Sequence, residues 1–167
     1  MLALSVTDIK DFMNRLLIGE TFDHFSLIEA SIVTFNTFTI DGRLQKDFFD
    51  TDALETFTEN AMEYSLWQDI RPFCFSVIRG KRTPVSFKIV FRLPVKKMQA
   101  LLEQAIPDFS SDAVSGLYLN LQYKTMTHLC TTGISFQSFL PDKRPEQLWD
   151  NVVSNFLHKH GISFEKL

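Results

Sequence analysis

The sequence has few cysteines and no long hydrophobic run. Cys74 and Cys130 are the only cysteines among 167 residues, so they make no disulfide framework, and they match no Cys-x-x-Cys metal spacing. A membrane span takes about 20 consecutive apolar residues, which no stretch approaches. The chain opens on Met1-Leu-Ala-Leu-Ser-Val, without the basic segment and cleavage site of a secretory signal. These absences predict a cytoplasmic protein without a membrane contact.

The strong signatures of catalysis are also absent. The sequence has no phosphate-binding P-loop, no glycine-rich dinucleotide motif, no nucleophile elbow and no zinc-protease helix motif. His128 and Cys130 are two positions apart on a predicted strand and share one face, which would bring a thiol near an imidazole. No third group completes the pair, and cysteine is often buried as a plain small hydrophobe. The sequence therefore predicts no catalytic residue, no metal site and no cofactor.

Phenylalanine is the residue in excess. The chain has 17 Phe against three Tyr and two Trp, and 45% of its residues are apolar while 22% are charged. These proportions are typical of a globular chain, and a domain of about 150 residues buries roughly 70% of the surface that it exposes when unfolded. We therefore predict one domain over residues 1–167 with a Phe-rich core.

Hydrophobic periodicity divides the chain into helices and strands without a linker between them. Period-two alternation predicts strands, whereas apolar residues three and four positions apart predict helices. The predicted strands cover residues 2–6, two or three segments between 25 and 42, then 72–79, 84–93, 115–124 and 128–139. The predicted helices cover 9–17, about 50–66, 95–106, and a last segment between a cap at Asp142 and a stop at Gly161. The dipeptide Asp41-Gly42 predicts a hairpin turn.

The two halves of the chain have similar patterns. A shift of 89 residues aligns their apolar positions, so that Leu2 falls on Phe91 and Phe12 on Leu101. Each half follows the order strand-helix-strand-strand-helix, which predicts a tandem duplication with pseudo-repeats at about 1–70 and 84–167, joined through the strand at 72–79. The predicted fold is α+β, with a mainly antiparallel sheet of six or seven strands, four helices on one face and a polar opposite face.

This order of elements is similar to the strand-helix-strand-strand modules of the gyrase-inhibitor-like and haem-binding SOUL-type proteins, and to the duplicated TATA-binding-protein fold. The residue motifs of these families are missing, so the similarity implies an architecture and no site. The stretches ETFDHFSLIEASIVTFNTFTIDGRL, YSLWQDIRPFCFSVIRGKRTP and SFKIVF resemble, across most of the chain, an uncharacterised family of small bacterial proteins. That resemblance implies no activity.

Acidic residues are missing from one long segment. Residues 71–97 contain eight Lys and Arg and no Asp or Glu, whereas the remainder has nine basic and 20 acidic residues and a net charge of −11. The segment includes a predicted basic hairpin, in which strands 72–79 and 84–93 flank a loop at Gly80. The candidate anion-binding residues are Arg79, Lys81, Arg82, Lys88, Arg92, Lys96 and Lys97.

The basic hairpin has three interpretations. Its cations pair with the acidic remainder or protect an edge strand from aggregation, they bind nucleic acid or a phosphorylated ligand, or they bind an acidic protein. The neighbouring phenylalanines, such as Phe73 and Phe87, fall on the predicted core face, where they cannot stack on bases. We predict a non-enzymatic binding module that contacts an anionic partner, nucleic acid or a phosphorylated ligand, through this hairpin. An acidic protein is the other expected partner. The alternative is a small-molecule-binding protein or hydrolase with a pocket between the two halves.

Overall fold

A computed structural model describes the protein over residues 1–167. The seven strands are β1 (Ala3–Val6), β2 (Ser26–Val33), β3 (Thr37–Asp41), β4 (Ser86–Arg92), β5 (Val114–Lys124), β6 (Thr127–Phe136) and β7 (Phe164–Lys166). The five α-helices are α1 (Ile9–Leu17), α2 (Thr51–Glu59), α3 (Trp67–Ile78), α4 (Val95–Ala105) and α5 (Arg144–Lys159). Two short 3-10 helices cover Lys46–Phe48 and Ser111–Ala113.

The strands form one sheet in the order β3-β2-β4-β5-β6-β1-β7, and every neighbouring pair is antiparallel. The first strand of the chain, β1, lies between β6 and the last strand, β7. The predicted α+β class and antiparallel sheet are confirmed, and seven strands is the upper end of the expected range. The helix count is five, where the sequence predicted four.

One face of the sheet carries the hydrophobic core. In β5, Leu119 and Leu121 are buried, whereas Asn120 and Gln122 alternate with them and face the other side. Helices α1, α3, α4 and α5 all contribute buried apolar side chains to this core, and α2 contributes none. None of the helices has the length and apolar composition that crossing a bilayer requires.

Only some of the phenylalanines are buried in the core. The five buried phenylalanines are Phe12, Phe22, Phe25, Phe87 and Phe91. Phe91 stacks on Phe22 and on Phe25, with ring centroids 5.7 and 5.5 Å apart. Four other phenylalanines are exposed, namely Phe35, Phe48, Phe73 and Phe139. Their exposure is not explained by packing within the chain.

The predicted strand at residues 72–79 is wrong, because this segment is the second half of α3. Trp67 and Cys74 are buried seven positions apart, which is two helical turns, and Pro72 lies between them inside the helix. The backbone N–H of Trp67 donates to the Phe25 carbonyl oxygen at 2.8 Å and fixes the start of the helix. The β-rich composition of this segment favoured a strand, and the tertiary contacts of its first turn override that preference.

The basic hairpin is therefore not formed. Arg79 ends α3, and residues 80–85 connect it to β4, which pairs with β2 and β5 instead. Gly80 adopts a φ of 149°, a backbone conformation that residues other than glycine rarely adopt. The cations around Gly80 consequently lie on a helix-to-strand loop.

The order strand-helix-strand-strand does occur twice, as β1-α1-β2-β3 and as β4-α4-β5-β6. The positions of these strands in the sheet differ, since β4 is next to β5 whereas three strands separate β1 from β2. The structure therefore does not show an internal duplication. The segment expected to join the pseudo-repeats as a strand is α3.

Two further boundaries differ from the sequence prediction. The turn between β2 and β3 lies at residues 34–36, and Asp41-Gly42 instead ends β3. Gly42 permits a close approach of two backbones, because a Cβ atom there would lie 1.7 Å from the Leu27 carbonyl oxygen. The helix predicted to reach residue 66 stops at Glu59, and Ala61 follows it with a φ of 52°, in the left-handed conformation that often ends a helix.

Candidate functional site

The structure divides the seven candidate anion-binding residues among three elements. Arg79, Lys81 and Arg82 lie at the end of α3 and on the following loop, Lys88 and Arg92 lie on β4, and Lys96 and Lys97 lie in the first turn of α4. The seven residues lie in one continuous segment of the sequence, but they do not lie together on two paired strands.

The two cations of β4 already have partners within the protein. Lys88 Nζ lies 3.4 Å from Glu29 Oε1 on the neighbouring strand β2. Arg92 Nη2 donates to the Ser115 carbonyl oxygen at 2.6 Å, and its guanidinium carbon lies 6.0 Å from the centre of the Tyr64 ring. These two residues are explained by the fold.

The loop cations have no such partners. We call residues 79–85 the basic loop; its three cations, Arg79, Lys81 and Arg82, are exposed and form no ion pair. A groove of about 440 Å³ lies between the basic loop and the β2–β3 turn, and its lining includes Phe35 and Val85 but no acidic residue. The basic loop thus presents positive charge beside apolar surface.

A second groove, which we call the α5 groove, also has a volume of about 440 Å³. It lies between the α1–β2 loop, the junction of β4 with α4, and α5 from Trp149 to its C-terminal end. Its twelve lining residues are Glu20, Thr21, His24, Phe25, Leu93, Lys97, Trp149, Val152, Val153, Phe156, Lys159 and His160. The groove is thus built from both halves of the chain.

The floor of the α5 groove is apolar and held in place by packing. Trp149 is buried, and its Nε1 donates to the Tyr118 carbonyl oxygen at 2.8 Å, which fixes the indole against the sheet. The Phe156 ring meets Phe25 edge-on, with centroids 5.5 Å apart at an interplanar angle of 89°. The floor is therefore preformed.

The rim of the α5 groove is mainly basic. Lys97, Lys159, His24 and His160 line it, against a single carboxylate, Glu20. Neither Lys97 nor Lys159 forms an ion pair within the protein. The groove therefore combines an apolar floor with a cationic entrance.

Of the residues that line the α5 groove, only Lys97 was among the candidates from the sequence. The sequence pattern of α5 predicts a single core-facing stripe, formed by Leu148, Trp149, Val152, Val153, Phe156 and Leu157. In the structure Val153 is buried, whereas Val152 and Phe156 are only half-buried and line the groove. The apolar face of α5 is broader than the part of it that the core buries. Such a broad apolar face is the sequence pattern that indicates a groove.

The predicted neighbours His128 and Cys130 do share one face, but they point into the core. Both are buried, with His128 Nδ1 4.0 Å from Cys130 Sγ and His128 Nε2 without a hydrogen-bond partner. Burial lowers the pKa of His128 to about 4 and raises the pKa of Cys130 to about 12. The imidazole and the thiol are both neutral at pH 7, and the structure has no group of three or more His, Cys, Asp or Glu side chains that could hold a metal ion.

A single antiparallel sheet with four helices packed on one face and a groove at the edge of that layer defines this molecule as a one-sided α+β protein. The chain belongs to DUF5721, a family of unknown function, whose family model matches residues 15–165. The resemblance to an uncharacterised family is thereby confirmed. No curated protein and no solved structure matches the chain. The basic loop and the residues that line the α5 groove all lie within the matched region.

Proposed function

We propose that the protein binds a small amphipathic anion in the α5 groove and carries out no chemistry on it. The observation that supports this proposal is the apolar floor under a rim of four basic side chains and one carboxylate. The volume of about 440 Å³ is within the range of about 300–1,000 Å³ that is typical of sites for small molecules. The ligand class is an organic carboxylate or phosphate with an aromatic or aliphatic body.

The position of Lys97 is the strongest argument for an anion. Lys159 and His160 lie at the end of α5, where the helix dipole favours cations whether or not a ligand is present. Lys97 lies in the first turn of α4, where the same dipole disfavours a cation. A bound anion near this helix start would offset that cost and be attracted by the dipole as well.

Binding is favoured over hydrolysis because the groove lacks an activated nucleophile. Its lining contains no Ser or Cys, and Thr21 is the only hydroxyl among the lining residues. Both thiols of the protein are buried away from it. A hydrolase would have to activate water with His24 or His160, so turnover of an ester probe that disappears in the His160→Ala variant would favour the enzyme instead.

Calorimetric titration with matched pairs of probes tests the proposal. Octanoate and 2-naphthoate are compared with octanamide and 2-naphthamide, which keep the apolar body but lose the charge. We expect the carboxylates to bind, with Lys97→Gln weakening them about fivefold, as a partly exposed charge pair is worth about 1 kcal/mol. The amides should be unaffected by that substitution.

Lys96→Gln is the control, because it removes the same charge from the same helical turn without touching the groove. It should change the affinity for the carboxylates less than twofold. Absence of binding by every probe at millimolar concentration, or equal effects of the two lysine variants, would contradict the proposal.

The basic loop supports a second candidate function, contact with an anionic macromolecule. Its three exposed cations form no ion pair, and no acidic residue lines the neighbouring groove. The predicted hairpin is lost, but these cations, like Lys96 and Lys97, form no ion pair within the fold. Binding to heparin that weakens steeply with added salt, and that is lost in a Lys81→Glu/Arg82→Glu variant, is the expected result. Heparin binding that is unchanged in that variant would contradict this function.

A further inference from the structure

We propose that the basic loop and two neighbouring turns form a contact site for single-stranded nucleic acid, in which cations neutralise phosphates and an exposed aromatic ring stacks on a base. This inference rests on the second candidate function and names its partner. It is independent of the α5 groove, which lies on other elements.

Three connections meet at the same end of the sheet. Val33, the last residue of β2, pairs with Ser86, the first residue of β4, and Ser86 pairs with Lys124, the last residue of β5. The β2–β3 turn, the basic loop and the β5–β6 turn at residues 125–126 therefore lie side by side. We call these three connections, with Lys124, the loop end of the sheet.

The loop end carries positive charge only. Its cations are Arg79, Lys81, Arg82 and Lys124, and residues 34–36, 79–85 and 124–126 contain no Asp or Glu. The C-terminus of α3 favours a nearby cation, which accounts for Arg79, but the effect of a helix dipole falls off within the last turn. Lys81 and Arg82 lie beyond that turn, so the helix does not explain them.

The same end of the sheet also exposes large apolar side chains. Phe35 is 87% exposed, Val85 is 64% exposed and Met126 is 69% exposed, one on each of the three connections. The Phe35 and Phe38 rings form a T-shaped pair with centroids 5.7 Å apart, so Phe35 is held by one aromatic neighbour while most of its surface is open to solvent. An aromatic ring in this state is a platform on which a base can stack.

The β5–β6 turn is strained in a way that presents Met126. Thr125 and Met126 have φ values of 51° and 61°, in the left-handed region that two-residue hairpin turns require and that Asn and Gly usually occupy. A turn built from Thr and Met accepts a conformational cost and exposes an apolar side chain. Strain of this kind is concentrated at functional sites.

Among anionic partners, the combination of charge and an open ring favours a single strand. Duplex bases are stacked on one another and offer no free face, whereas an unpaired base can stack on Phe35 while its flanking phosphates meet Lys81 and Arg82. An acidic polypeptide would use the cations and leave the aromatic ring without a specific role. Lys88 and Arg92, which have partners in the protein, are not needed for this contact.

Fluorescence anisotropy with labelled 12-nucleotide oligo-dT and oligo-U, a duplex of the same length, heparin and polyglutamate tests the inference. We expect the single strands to bind more tightly than the duplex at low salt, with an affinity that falls as the salt concentration rises. Phe35→Ala should weaken single-strand binding about tenfold, as loss of one stacked base predicts, and leave heparin binding unchanged. Lys81→Glu/Arg82→Glu should abolish binding to all polyanions.

Two matched controls separate this site from general effects. Phe139→Ala removes a phenylalanine that is 92% exposed elsewhere, and Lys10→Glu/Lys166→Glu makes the same change in net charge away from the loop end. Both should bind single strands within twofold of the wild-type affinity. Thermal unfolding of every variant confirms that it is folded before it is titrated.

The outcomes distinguish the inference from the function on which it rests. Salt-dependent binding of heparin and oligonucleotides that does not depend on Phe35 keeps the anionic partner and overturns base stacking. Tighter binding of polyglutamate than of oligo-dT assigns an acidic protein instead. Absence of binding to any polyanion at low salt, or an equal loss in the Lys10→Glu/Lys166→Glu control, overturns both.

Discussion

Trp67 Nε1 donates a hydrogen bond of 2.8 Å to the carbonyl oxygen of Leu16, and both residues are fully buried. The bond joins the first turn of α3 to the last turn of α1, across 51 residues of sequence. Leu16 is among the last four residues of α1, whose carbonyl groups have no partner within the helix. The indole therefore completes the end of one helix while it anchors the beginning of another.

Trp67→Phe should test this connection, because it keeps an aromatic ring at the site and removes the indole N–H together with part of the ring volume. The Leu16 carbonyl would then be buried without a partner, and we expect a loss of about 1–3 kcal/mol in the free energy of unfolding. Urea unfolding followed by far-UV circular dichroism measures the change. A midpoint equal to that of the wild type would mean that the bond contributes nothing.

Trp149→Ala should destabilise the protein by about 3–5 kcal/mol, because it leaves a large cavity under α5. The same substitution removes part of the floor of the α5 groove, so it should also weaken the binding of naphthoate more than Lys97→Gln does. Chemical denaturation and calorimetry on the same preparation check both effects. Unchanged stability would mean that this face of α5 has been assigned wrongly.

His128 should make stability depend on pH. Its pKa is lowered by burial from 6.5 to about 4 in the folded state, so between these values the unfolded chain binds a proton that the folded protein does not. The stabilisation is fully present above pH 6.5 and is lost progressively as the pH falls to about 4. The loss should be on the order of 3 kcal/mol. Urea unfolding at a series of pH values should give a flatter curve for His128→Leu, and parallel curves for the two proteins would contradict this assignment.

The two thiols should be unreactive in the folded protein. Cys74 and Cys130 are buried, and burial raises the pKa of each to about 12, so the thiolate is scarce at pH 8. We expect Ellman's reagent to modify neither residue at an appreciable rate until urea is added, when both react. Rapid modification of one cysteine in the native protein would show a path from solvent that the structure lacks.

The sequence predicts well those helices and strands whose own hydrophobic pattern determines their secondary structure. The stripe of Leu148, Trp149 and Val153 is readable without knowledge of any neighbour, and α5 forms where it was expected. The alternation in β5 likewise predicts its strand and its buried face. In α3 the local composition favours a strand, whereas the tertiary contacts favour a helix. The hydrogen bonds that Trp67 donates to the carbonyl oxygens of Leu16 and Phe25 join distant segments, so they cannot be predicted from the local pattern.

The candidate site could be predicted less well, because the order of charges along the chain does not determine which of them lie together in space. Arg71 belongs to the basic segment, yet it turns inward and donates to both carboxylate oxygens of Asp23, at 2.9 and 3.0 Å. Lys97 was identified, but the other walls of the α5 groove come from residues 20–25 and 149–160. Such a groove exists only once distant segments are packed together.

The position of β1 sets an order of events for the folding chain. Ala3 pairs with Thr131, and Val6 pairs with Phe164, so β1 finds its neighbours only after the residues that separate it from β6 and β7 have been synthesised. Contacts of such sequence separation form slowly, because they close long loops. The pairing of β2 to β6 with one another does not involve β1, so the edge of β6 stays unpaired during synthesis until β1 pairs with it.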